Sequence, residues 1–135
     1  MKQIIFSTII LLTVCGCSAH LPEDELCMTR GRLKHYLLHE AMTQSEMNII
    51  SAYIFQLAYM EEDLIRFRIV NQPNYNKIEK AFLADCEVWE KAARKEAETP
   101  SRYEGGSFAP MDHHLRMTDL VETRINEIKN KWRQK

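Results

Sequence analysis

An all-α fold, a small antiparallel bundle of about four helices, follows from three features of the 135-residue chain. Apolar residues recur at three- and four-residue spacing through four long segments. Short breaks rich in Pro, Gly, Asn, Ser and Thr separate them. No run shows the apolar–polar alternation of a half-buried strand. Amphipathic helices joined by short loops bury one another's stripes as a bundle, so the segments predict one helical domain over residues 23–135.

The N-terminal segment is of another kind. Lys2 supplies a positive start, and Ile4 to Val14 is an apolar run broken only by Ser7, Thr8 and Thr13. The run is too short to span a bilayer as a mature helix and fits a secretory leader. It ends in VCGCS, Val14 to Ser18, where Gly16 directly before Cys17 resembles the bacterial lipobox. That resemblance implies a signal peptide over residues 1–16 and acyl chains on Cys17. Cys15 fits less well, because Val14 would then hold the small-residue position. Two or more acyl chains anchor stably where one does not, at about 0.8 kcal/mol per buried methylene. Ser18, not aspartate, follows the cysteine, which resembles the pattern exported to the outer membrane. The expected location is the bacterial cell envelope, as an outer-membrane lipoprotein facing the periplasm. The alternative is an ordinary leader cleaved after Ala19, without lipid.

Residues 17–22 then form a short polar tether. With Pro22 at its start, the first helix is predicted from about Glu23 to Met42, with Glu23, Asp24 and Glu25 against its positive end. Leu26, Leu33, Leu37 and Ala41 form its apolar stripe, and Arg30, Lys34 and Glu40 face water. Thr43 or Ser45 caps the second helix, which runs to about Val70. Its stripe is Ile50, Tyr53, Ile54, Leu57, Met60, Leu64 and Phe67, and the run Glu61, Glu62, Asp63 reads as a solvated face. Pro73 and the surrounding asparagines break the chain. The third helix runs from about Tyr75 to Glu98, with Ile78, Phe82, Cys86, Trp89 and Ala93 on one stripe. Thr99, Pro100 and Ser101 stop it. The fourth starts between Pro110 and Asp112 and continues to about Arg133, with Leu120, Arg124, Ile128 and Trp132 in register.

Cysteine arithmetic leaves Cys27 and Cys86 as an even pair in an oxidising compartment, so a disulfide between them is expected. It would close a loop of about 60 residues and contribute about 4 kcal/mol in the chain-entropy model. Two buried free thiols are the alternative.

Composition narrows the function. The formal net charge is −1 and no basic run precedes the last turn, which argues against nucleic-acid binding. His35 and His39 are four apart, but HYLLHE lacks the glutamate between the histidines that a metalloprotease helix needs, and no third ligand is evident. No cofactor or metal is expected. His113 and His114, being adjacent, point about 100° apart on a helix. Ser107 near His113 or His114 is the sole candidate nucleophile, with no nucleophile elbow or phosphate-binding glycine loop, so an enzyme is not expected.

The remaining irregular stretch is RYEGGSFAP, Arg102 to Pro110, which holds two of the four glycines. Gly105 and Gly106 supply turn conformations, and Ser107 or Asp112 caps the following helix. Tyr103, Glu104, Gly105, Gly106, Ser107 and Phe108 together suit a projecting contact surface for a protein partner.

Three motifs in residues 43–128 resemble the LprI-type lysozyme inhibitor domain family: SEMN at Ser45 to Asn48, LADCEVW at Leu83 to Trp89, and YEGGSFAP at Tyr103 to Pro110. Leu120, Arg124 and Ile128 match the spacing of that family's final helix. The chain departs from the pattern at Ser51, at Ala92 and Ala93, at Val121, and in having no cysteine after Cys86. The resemblance implies a membrane-anchored inhibitor of lysozyme or a related muramidase, with the loop inserted in the enzyme's cleft. A lipid-tethered adaptor for another envelope protein, or an immunity protein against a wall-degrading toxin, fits the same helical features.

Overall fold

The structure is a computed structural model and describes residues 23–40 and 43–132. The expected leader, the acylated Cys17, the tether and Ala41 lie outside the described residues. Among the described residues four helices follow one another: α1 (Glu23–His39), α2 (Gln44–Val70), α3 (Tyr75–Ala97) and α4 (Ala109–Lys131). No strand occurs among the described residues, and no helix there is long and apolar enough to cross a membrane.

Local chemistry explains the boundaries. Thr43 is the N-cap of α2: its hydroxyl accepts from Glu46 N (3.3 Å), and the Glu46 carboxylate accepts from Thr43 N (2.8 Å). This capping box satisfies two orphan donors reciprocally and selects Thr43 over Ser45. At the other end, Asn71 Nδ2 donates to Phe67 O (2.7 Å) just before Pro73. Pro110 lies in the first turn of α4, where a missing N–H costs nothing.

Neighbours in sequence run antiparallel. Glu23 meets Arg68 and Arg30 meets Glu61 between α1 and α2. Arg66 meets Glu90 between α2 and α3, and Glu96 meets Arg116 between α3 and α4. The closest packing, however, joins the parallel diagonal pair, α2 and α4. Ser51 lies beside His114 at one end of that pair, and Gln72 reaches Trp132 at the other. Ser51, Ala58 and Thr118 are fully buried along the pair, and such small side chains let two backbones approach. Helices α1 and α3 flank it and do not meet.

The apolar core gathers Ala58, Ile65 and Ile69 of α2, Phe82 and Cys86 of α3, and Val121, Ile125 and Ile128 of α4. Phe82 makes edge contacts with Trp132 (5.7 Å between ring centres) and Tyr75 (6.1 Å). The stripe expected on α3 faces this core, with Phe82, Cys86 and Ala93 buried; on α4, Arg124 and Ile128 are buried, but Leu120 is half-exposed and Val121 and Ile125 fill the core instead.

The disulfide expected between Cys27 and Cys86 does not exist. Both cysteines are free, Cys27 on the exposed side of α1 and Cys86 in the core. No Cα of α1 comes within 8 Å of one in α3, and a bridge needs less than about 7 Å. The α2–α4 pair stands between the two cysteines.

The face of α2 also differs from expectation. Its buried line is Ser51, Ile54, Ala58, Glu61, Glu62, Ile65 and Ile69. Tyr53, Met60 and Phe67, expected inside, are exposed, while Glu61 and Glu62, expected in water, are inside. Arg30 of α1 is likewise buried. Helix α2 is apolar on nearly every side, so periodicity alone does not choose the face. The packing partners make the choice: α4 covers the buried line most closely, and α1 and α4 each bring a cation to Glu61.

Candidate partner-binding loop

The segment between α3 and α4 is a train of three tight turns. Glu104 N donates to Ser101 O (3.1 Å), Gly106 N to Tyr103 O (2.8 Å) and Ala109 N to Gly106 O (3.1 Å). The two glycines serve different needs. Gly105 has φ +76°, a left-handed conformation that costs other residues about 1–2 kcal/mol. Gly106 lies so close to the preceding turn that a Cβ there would stand 3.1 Å from Tyr103 O.

All six residues expected at the contact surface, Tyr103 to Phe108, are exposed and lie together in the run of turns between α3 and α4. The Tyr103 and Phe108 rings lie 5.9 Å apart at its flanks, 50 % and 42 % exposed. A pair of large rings held in solvent is available for a partner.

The base is held from three directions. Ser101 Oγ donates to Asp112 Oδ2 (2.8 Å) and accepts from Tyr103 N (3.1 Å). Arg116 of α4 donates to Glu96 (2.6 Å) and to Thr99 O (3.0 Å), clamping the end of α3. Asn48 of α2 donates to Ser107 O (3.1 Å). The Ser101 hydroxyl, with Arg102 and Arg116 nearby, holds the Asp112 carboxyl below the ordinary range. Asp112 therefore serves the loop, and neither it nor Ser107 caps α4 as expected. The N-cap position is Phe108, with no side-chain cap. Of the acids near the loop, Glu96 is committed to Arg116, which leaves Glu98 and Glu104 facing solvent.

Sequence reasoning missed Asn48, Ser101 and Arg116 as loop anchors. Their partners are fixed by tertiary placement, and the Asn48–Ser107 contact spans 59 residues.

The histidines and the candidate nucleophile separate. Ser107 makes no side-chain hydrogen bond to His113 or His114 among the described residues. His114 instead lies against Ser51 Oγ (3.1 Å) and stacks on Phe55, and burial lowers its pKa. His35 and His39 are exposed on α1, with ring centres 4.4 Å apart. No cluster of three or more metal-binding side chains occurs among the described residues.

A second constellation, which the sequence did not suggest, lies mid-bundle. Glu61 accepts hydrogen bonds from Arg30 and from Lys129 Nζ (3.0 Å), and Lys129 also meets Glu23 (2.6 Å). Arg30 Nε reaches Glu122 (2.7 Å), which Lys34 also contacts (2.7 Å). On the α3 side, Arg124 donates to Asp85 (2.6 Å) and lies over the Trp89 ring. Burial opposes ionisation of Asp85, yet hydrogen bonds from Lys131, Arg124 and Trp132 bring it down to about 2. Glu62, one residue from Glu61, has no hydrogen-bond partner at either oxygen among the described residues, and burial pushes its carboxyl up to about 7. Trp89 Nε1 and Arg124 Nε, also buried, make no hydrogen bond among the described residues either.

No protein-family model matches this chain, and no curated protein or solved structure matches it.

Proposed function

We propose that this chain is a binding protein of the bacterial cell envelope that blocks a peptidoglycan-cleaving lysozyme by inserting the Tyr103–Phe108 loop into the enzyme's cleft. One observation carries the reading: residues 103–108 are all exposed, with the Tyr103 and Phe108 rings side by side, on a base fixed by hydrogen bonds with α2 and α4. A loop already ordered in its docking shape loses little entropy on binding. The lipobox-like VCGCS segment and the three family-like motifs support the location and the target. The proposed carrier is an outer-membrane lipoprotein facing the periplasm, held through Cys17. A lysozyme cleft holds two carboxylic acids, one protonated, and the enzyme surface is basic. Glu98 and Glu104 suit that surface as steering charges. The role is binding, without chemistry of its own.

The test is a turbidity assay of chicken-type and goose-type lysozymes with purified protein. Near-stoichiometric inhibition is expected. Gly105→Val combined with Ser107→Ala should weaken it while far-UV circular dichroism stays unchanged. Full inhibition by that variant rejects the loop as the site. No inhibition at tens-fold excess rejects the target.

The second reading, a lipid-tethered adaptor, is favoured by the outer face of α2. There Ile49, Tyr53, Met60 and Phe67 are exposed in one line. The adaptor reading predicts capture of an envelope protein that Tyr53→Ser with Phe67→Ser abolishes and the loop variant leaves intact.

A further inference from the structure

We propose that His35 and His39 form a surface chelate for a divalent first-row transition cation, with Cu²⁺ held more tightly than Zn²⁺. The two imidazoles are one helical turn apart on α1, both exposed, with ring centres 4.4 Å apart and planes inclined at 44°. A metal–nitrogen bond of about 2.0–2.1 Å places each ring centre roughly 3.2 Å from a shared ion. Two rings at right angles on that ion then have centres about 4.5 Å apart, and a tetrahedral pair about 5.2 Å. The observed spacing is close to the right-angled arrangement, which square-planar and tetragonal Cu²⁺ and Ni²⁺ prefer.

The surroundings favour a cation. His39 is the last residue of α1, where unpaired carbonyls make the negative end of the helix dipole. Glu40 follows directly and is exposed. No third histidine, cysteine or carboxylate completes the set among the described residues, so the remaining positions on the ion stay open to water or a partner's donor. Such a site exchanges its ion readily and differs from a closed structural zinc site. Because the ion ties residue 35 to residue 39, binding also holds the last turn of α1.

The experiment is calorimetric titration of the purified full chain with CuCl₂, NiCl₂ and ZnCl₂ in separate runs. Alongside the parent stand His35→Ala, His39→Ala, His113→Ala and Cys27→Ser, the last because its exposed thiol is a competing soft ligand. One Cu²⁺ per chain is expected, tighter than Ni²⁺ or Zn²⁺. Each of His35→Ala and His39→Ala should weaken it by about tenfold or more, with unchanged helicity, as expected for loss of one of two ligands. His113→Ala and Cys27→Ser should bind as the parent does. Parent-like binding by a His35→Ala, His39→Ala double variant, loss of binding in Cys27→Ser, or no binding by the parent at submillimolar metal would overturn the assignment.

Discussion

Glu61 and Glu62 are neighbours on α2, each 1 % exposed, and they face opposite surroundings. Glu61 points to the α1 side, where Arg30 and Lys129 donate to it and where Glu122, Lys34 and Glu23 continue the ionic chain. Glu62 points to the α3 side. Arg66 stands 3.7 Å from it, and among the described residues it accepts no hydrogen bond. Burial costs a carboxylate its hydration in both places, and only on one side do donors replace it. The same residue type at the same depth is therefore a structural tie in one direction and a weak point in the other. The backbone agrees: α1 packs extensively on α2, whereas the backbone of α3 stands farther off from the pair.

The largest expected effect comes from breaking the paired side. Arg30→Met removes the cation from buried Glu61 and should cost about 3–5 kcal/mol, as removal of one member of a buried pair does. Urea unfolding at pH 7 measures it. A loss under about 1 kcal/mol, the scale of a surface pair, would mean that Lys129 alone suffices for Glu61.

Glu62→Gln probes the other side and has the opposite sign. The folded state favours the protonated form of Glu62, whose pKa rises from 4.5 to about 7. Its contribution is thus harmless below about pH 4.5, and the penalty grows as pH climbs to about 7 and is complete above that. The shift corresponds to about 3 kcal/mol at most. Glu62→Gln should therefore stabilise the protein by about 2–3 kcal/mol at pH 8 and by little at pH 4. Equal gains at both pH values would show that ionisation of Glu62 is not the cause.

Gly105→Ala lies outside both surroundings and gives a reference for the comparison. Its left-handed φ of +76° predicts a loss of about 1 kcal/mol that does not vary with pH. A pH-dependent loss would tie the loop to the ionic layer.

The smallest effect concerns the thiols. Dithiothreitol should leave the urea midpoint unchanged, since Cys27 and Cys86 are both free. A thiol reagent should label Cys27 at once in the native protein. It should reach Cys86 only as α3 opens, and more slowly in Glu62→Gln than in the parent at pH 8. Equal labelling of Cys86 in the two proteins would show that Glu62 does not govern the opening of α3.

Much of this architecture was legible before any coordinates. The helix boundaries at Thr43, Pro73 and Pro110, and the stripe Phe82, Cys86, Ala93 on α3, follow from capping chemistry, proline sterics and a single strongly polarised face. The exposed ring-bearing turn at Tyr103 to Phe108 was legible for the same reason, because Gly105 needs a backbone conformation other residues avoid. The base of that turn was not, since Asn48, Ser101 and Arg116 are ordinary polar residues until the fold sets them beside their partners.

The sequence by itself determined that four helices form, roughly where they break, and which face of α3 is apolar, because those properties depend on residues within a turn or two of one another. Tertiary structure alone decided which face of α2 is inside, that Cys27 and Cys86 stay apart, and that Arg30, Glu61 and Glu62 are buried. A charge is read as solvated until its counter-charge is located. For Glu61 that counter-charge is Arg30, 31 positions away, and for Arg30 the second partner is Glu122, 92 positions away. Separations of that size leave no periodic trace along the chain.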